Sequence, residues 1–146
     1  MATVTPASTG LDTRTLALMV RAMFPHERFP DGPYQRTAAA IAEAAGDDVR
    51  LRAQLEQGLR ELDVAGGAPF AELAPDAAYE VLRKMSGTAF FEAVRSKTIL
   101  TLYDDPEVWA LLGYEGPSFD RGGYLNRGFD DLDWLPDPRV EEASGR

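Results

Sequence analysis

The chain has 146 residues, no cysteine and a formal net charge of −9. That length suits one domain with a real hydrophobic core. Without cysteine there are no disulfides, thiolate metal sites or cysteine nucleophile. The charge is uneven: residues 101–146 hold eleven acids against four arginines, whereas the first hundred are nearly balanced. Such an end repels a phosphate backbone and an anionic membrane surface, which argues against nucleic-acid and membrane partners.

No run of about 18 apolar residues is present to span a bilayer. The N-terminus, MATVTPASTGLDTRTLALM, lacks a basic n-region, a twin-arginine pair and a continuous apolar stretch, so the expected location is cytoplasmic. Residues 1–10, rich in Thr, Ser and Pro, are expected to be disordered. A first helix is expected from Asp12 to Phe24, with Leu16, Met19, Val20 and Met23 as its stripe and Pro25 as its stop. After a loop, PHERFPDGP, Pro33 opens a second helix through the alanine run to Ala45, and Gly46 ends it.

Asp47 is the expected N-cap of a third helix over 48–63, whose stripe is Leu51, Leu55, Leu59 and Leu62. Gly58 falls in that stripe at a cost of about 1 kcal/mol relative to Ala, which suggests another backbone passing close. Pro75-Asp76 opens a fourth helix that buries Ala78, Val81, Leu82 and Met85. The fifth, Gly87 to Tyr103, aligns Phe91, Val94, Thr98 and Leu102 in a narrow arc. Phe90, Ile99 and Leu100 spread over the remaining sides, a pattern that predicts a central helix. Asp104 or Asp105 then caps a short sixth helix with Pro106 at its first position. With no period-two alternation, the expected fold is all-α: about six helices over residues 11–113, followed by an irregular aromatic arm, 114–146, belonging to the same domain.

Few residues offer chemistry. His26, the single histidine, lies in a loop and has no second His or Cys to complete a transition-metal site. Asp130, Asp131, Asp133 and Asp137 lack the Gly and Glu positions of an EF-hand loop. Gly122, Gly123 and Gly128 follow no strand, so they spell turns rather than a dinucleotide fingerprint. Arg95 falls on the apolar side of the fifth helix and needs a partner: either it anchors an acidic segment or it snorkels along its own methylenes to the surface. Residues 113–138 hold five aromatics and five glycines without helical or strand period. Tyr124, Phe129 and Trp134 beside Arg127 have the composition of interface anchors.

The segment TAFFEAVRSKTILTLYDDPEVWALLGYEGP resembles the gluconate 2-dehydrogenase subunit 3 family. The matching residues are Phe90, Phe91, Arg95, Thr98, Tyr103, Asp105, Pro106, Trp109, Gly113, Tyr114, Gly116 and Pro117, within about residues 70–117. The chain departs from that pattern after Asp105-Pro106, where PEVW follows directly and a Gly-Gly-Tyr-Leu-Asn-Arg segment comes later; it also lacks the export signal many members carry. The resemblance implies a helical accessory subunit that is not itself catalytic, carries no cofactor or metal, and stabilises a larger dehydrogenase holding FAD and acting on a sugar, polyol or other alcohol. The expected partner surface comprises Arg95, Trp109, Tyr114, Tyr124, Asn126, Arg127, Phe129 and Trp134. Two competing readings stand beside it. One is a stand-alone enzyme using Asp or Glu, Arg and Tyr on a small organic substrate; the other is a homo-oligomer that swaps its arm.

Overall fold

The computed structural model describes residues 10–123 and Leu125. The expected disorder of the N-terminus and the arm beyond residue 125 lie outside them. The chain divides into two units, Met1–Tyr114 and Glu115–Arg146. Among the described residues the first unit is built from six α-helices with no strand, so the fold is all-α as its periodicity predicts.

Helix α1 spans Thr13–Met23 and is started by Asp12, whose Oδ1 accepts the N–H groups of Arg14 and Thr15 at 3.1 Å each. The Thr15 hydroxyl donates to the other carboxylate oxygen at 2.6 Å. Two of the orphan donors at the helix start are thereby satisfied. Helix α2 covers Asp31–Asp47. It begins two residues before Pro33, which still sits in the first turn, where its missing N–H costs nothing. Gly46 does not end it. The chain turns instead at Asp48, in extended conformation, whose carboxylate accepts the Leu51 N–H at 2.9 Å and caps α3 in place of the expected Asp47.

Helix α3 runs from Val49 to Gly66, three residues past the expected Asp63. Asp63 serves the next element, accepting the Phe70 N–H at 2.7 Å where a 3-10 turn, Phe70–Glu72, begins. Helix α4, Pro75–Met85, buries Ala78, Val81, Leu82 and Met85, as its spacing predicts. Helix α5 is Ala89–Leu102, capped by Thr88, and α6 is Pro106–Leu112, capped by Asp105. α2 packs on α1, α3 and α5, while α1 and α3 also meet α4. Leu16, Met19, Tyr34, Ile41, Leu55, Leu62, Val94 and Leu102 are fully buried between these helices.

Helix α5 differs from its expected central role. It buries Phe90, Val94, Thr98 and Leu102, but Ile99 and Leu100 are 39% and 75% exposed. Phe90 takes the place expected of Phe91, which is only half-buried. The reason lies on α3. Gly58 presents bare backbone, and a Cβ there would overlap the Phe90 ring. The close approach at Gly58 is therefore a side chain, not another backbone.

Gly58→Ala gains about 1 kcal/mol of helix propensity but forces the ring off its rotamer, at about 1–3 kcal/mol. The expected outcome is net destabilisation in urea melts, and a smaller loss or none when the same change is made in a Phe90→Ala background; equal or higher stability of the single variant would contradict this packing. A second buried position has the opposite sign. Thr37 is 1% exposed and its hydroxyl has no hydrogen-bond partner among the described residues. Removing an unsatisfied polar group while keeping its shape is neutral or favourable, so Thr37→Val should melt at or above the wild-type temperature.

Candidate functional site

The elements converge on one corner of the helical unit, where the loop between α1 and α2 meets the end of α5 and the start of α6. The loop is held from within: the buried Tyr34 hydroxyl donates to the Phe24 carbonyl at 2.7 Å and accepts the His26 N–H at 3.3 Å. Arg21 lies 5.0 Å over the Tyr34 ring, within cation–π range, and pairs with Asp31 at 2.7 Å. His26 Nε2 and the Tyr103 hydroxyl are 2.7 Å apart, linking the loop to the end of α5. The imidazole also packs on Phe29 with ring centroids 4.3 Å apart. Tyr103 meets Phe24 edge-on at 6.1 Å. Burial, with a smaller contribution from Tyr34, raises the Tyr103 pKa above its ordinary 10.0, so the phenol stays protonated at neutral pH.

A second tie joins α2 to the start of α6. Arg36 Nε and Nη2 donate to the two carboxylate oxygens of Asp105 at 2.7 and 3.0 Å, and Nη2 also reaches Glu107 at 2.6 Å. This forked pairing is the geometry a guanidinium makes best. Asp105 is 9% exposed and simultaneously accepts the Glu107 N–H at 2.9 Å as the cap of α6. Its pKa is held below the ordinary 3.8, chiefly by the Arg36 hydrogen bond, against the opposing effect of burial. Arg36 is in turn held more firmly protonated by Asp105 and then by Glu107.

On this support stands an aromatic ledge. Trp109 donates its indole N–H to the Tyr103 carbonyl at 2.7 Å and meets Tyr114 edge-to-face at 5.4 Å. The Tyr114 N–H returns to the Trp109 carbonyl at 2.8 Å where Gly113, at φ +75°, turns the chain out of α6. Tyr103, Leu112 and Tyr114 remain 37%, 61% and 44% exposed. The ledge is hydrogen-bonded in place and open to solvent.

Of the residues singled out from sequence, Trp109 and Tyr114 are therefore brought together. Arg95 is not among them: it stands on the exposed side of α5 and reaches Glu92 at 3.4 Å, the surface alternative rather than a buried anchor. Tyr124, Asn126, Arg127, Phe129 and Trp134 lie outside the described residues, as do Asp130, Asp131, Asp133 and Asp137. The sequence reading assigned no surface role to Tyr103 or Leu112 and did not foresee Arg36. Tyr103, six residues before Trp109, carried a usable signal; Arg36, 69 residues from Asp105, carried none. Among the described residues no three His, Asp or Glu side chains gather as a metal site, and no helix is long and apolar enough to cross a membrane. Comparison with protein-family models, curated proteins and solved structures found no match.

The Asp105 tie has a pH signature. A carboxylate whose folded pKa lies below its unfolded value adds stability above the unfolded pKa and loses it as pH falls through the folded one. Asp105 and Asp12, which is lowered mainly by the Thr15 hydroxyl, share this sign. Stability should thus hold at neutral pH and drop as pH falls below about 4. Asp105→Asn keeps a good helix cap but removes the charged partner of Arg36. Urea unfolding of this variant should show a loss of about 1–3 kcal/mol at pH 7 and a shallower acid slope than wild type. An unchanged slope would mean that Asp105 does not carry that dependence.

Proposed function

We propose that this chain is an accessory, non-catalytic small subunit that binds and stabilises a larger flavin-dependent dehydrogenase acting on a sugar, polyol or other alcohol. FAD resides in that partner. The observation that carries the reading is the ledge: Tyr103, Leu112 and Tyr114 are exposed, and the Trp109–Tyr114 pair is fixed by hydrogen bonds that cost the partner no ordering. Rigid aromatic groups of this kind are the usual anchors of protein interfaces. The resemblance over about residues 70–117 suggests the partner's class, and its matching residues include Tyr103, Trp109 and Tyr114.

A stand-alone acid–base enzyme has the His26–Tyr103 pair in its favour. Against it, two carboxylates of that corner, Asp105 and Glu107, are occupied by Arg36. The geometry is that of a brace more than of groups waiting for substrate.

The test is co-expression with a flavoprotein dehydrogenase of the glucose–methanol–choline class, followed by affinity capture of the small chain and a reading of flavin absorbance in the eluate. Wild type should retain the yellow partner. Trp109→Ala with Tyr114→Ala should weaken binding at least about 10-fold while helical circular dichroism is retained. Retention of flavoprotein by the double variant at wild-type level would remove the ledge from the interface. Turnover of an alcohol or other small molecule by the small chain alone would favour the enzyme reading.

A further inference from the structure

The second unit displays a different kind of anchor. Phe119 is 97% exposed, the highest value among the large apolar side chains described. Leaving such a ring in water forgoes the free energy of burying it. On a loose chain that would carry little meaning, but here the backbone around it is fastened. Phe119–Arg121 form a single 3-10 turn. Arg121 Nη2 donates to the carbonyls of Glu115 and Pro117 at 2.9 and 3.1 Å, closing the segment over itself. The N–H groups of Arg121 and Gly123 both donate to the Ser118 carbonyl, at 3.0 and 2.8 Å. Gly122, at φ +83°, makes the reversal that lets the second of these bonds form. Ser118 itself is buried.

We infer that Glu115–Gly123 is a docking hook whose Phe119 ring inserts into an apolar pocket on a partner protein. Three observations select that occupant. The hook's guanidinium is engaged by its own carbonyls, so it is not the usual fork offered to a phosphate or carboxylate ligand. The segment is already folded, so presenting the ring costs little conformational entropy, the condition under which one aromatic side chain contributes strongly to binding. Asp120, next to the ring, is exposed and forms no ion pair among the described residues. It matches a pocket with Lys or Arg at its rim and disfavours an anionic lipid surface. The inference rests on the hook's own geometry; only the identity of the partner rests on the function proposed above.

The test places the photo-crosslinker p-benzoyl-L-phenylalanine at position 119 of the full chain, in cells that also make the flavoprotein. Affinity measurements on the protein it captures follow, with wild type, Phe119→Ala and Arg121→Ala. The expected result is a crosslink to the flavoprotein, binding weakened about 30-fold by Phe119→Ala, and a smaller loss for Arg121→Ala, which keeps the ring but frees its support. Helical circular dichroism and melting temperature should not move in either variant. A crosslink to a different protein, with the same loss on Phe119→Ala, would uphold the hook and overturn the proposed flavoprotein partner. A crosslink only to a second copy of this chain or to lipid, no crosslink at all, or equal binding by wild type and Phe119→Ala would overturn the hook. The ledge and the proposed function would then be decided by their own co-elution test.

Discussion

One side chain fixes the working corner of this molecule. Helix α6 has seven residues, too few to persist as an isolated helix in water. Beside the burial of Val108 in the core, what positions it is the Arg36 fork on Asp105, a residue that is at once the ion-pair partner of α2 and the cap of α6. The pairing therefore sets both the place of α6 and the start of its hydrogen-bond ladder. Trp109 and Tyr114 inherit their positions from it. So does the carbonyl of Tyr103 as acceptor of the indole N–H, because donor and acceptor sit on either side of Asp105. The exposed rings are thus organised by an ionic contact that is itself nearly buried at the Asp105 end.

Much of the fold was legible because its signals are local. Asp12, Pro75, Asp105 and Pro106 each mark a helix start through chemistry confined to one turn, and the apolar stripes of α1, α3 and α4 follow the helical period. The misreadings share a cause, which is that a neighbour decides between local options. The wheel places Phe91 in the arc of Val94, Thr98 and Leu102 and Phe90 outside it, yet Gly58 of α3 opens space for Phe90. Gly46 reads as a stop, yet the turn is taken at Asp48, whose side chain can cap α3. For Arg95 the wheel leaves the anchor and surface readings open, and the structure exposes it on α5, where it reaches Glu92. At the site, Trp109 and Tyr114 stand out by composition. The His26–Tyr103 and Arg36–Asp105 contacts span 77 and 69 residues, and no local pattern encodes a pairing at that distance.

The corner also shows how polar groups can serve an apolar surface. Tyr34, His26, Arg21, Arg36, Asp105 and Glu107 are joined to neighbours through hydrogen bonds, ion pairs or ring contacts. Satisfied in this way, they stiffen the backbone beneath the rings without competing for a ligand. Charge is spent on geometry, and the exposed aromatic groups are its product.

The bond between His26 and Tyr103 has a consequence for the order in which the molecule is made. It joins the end of the first helix to the end of the fifth, so it cannot close until the ribosome has released nearly the whole helical unit. Local contacts within and between α1 and α2 form early, whereas contacts of long sequence separation come late. The ties that fasten the ledge to the first two helices accordingly close late. Any surface that includes both His26 and Tyr103 therefore exists only on a chain whose first and fifth helices have already come together.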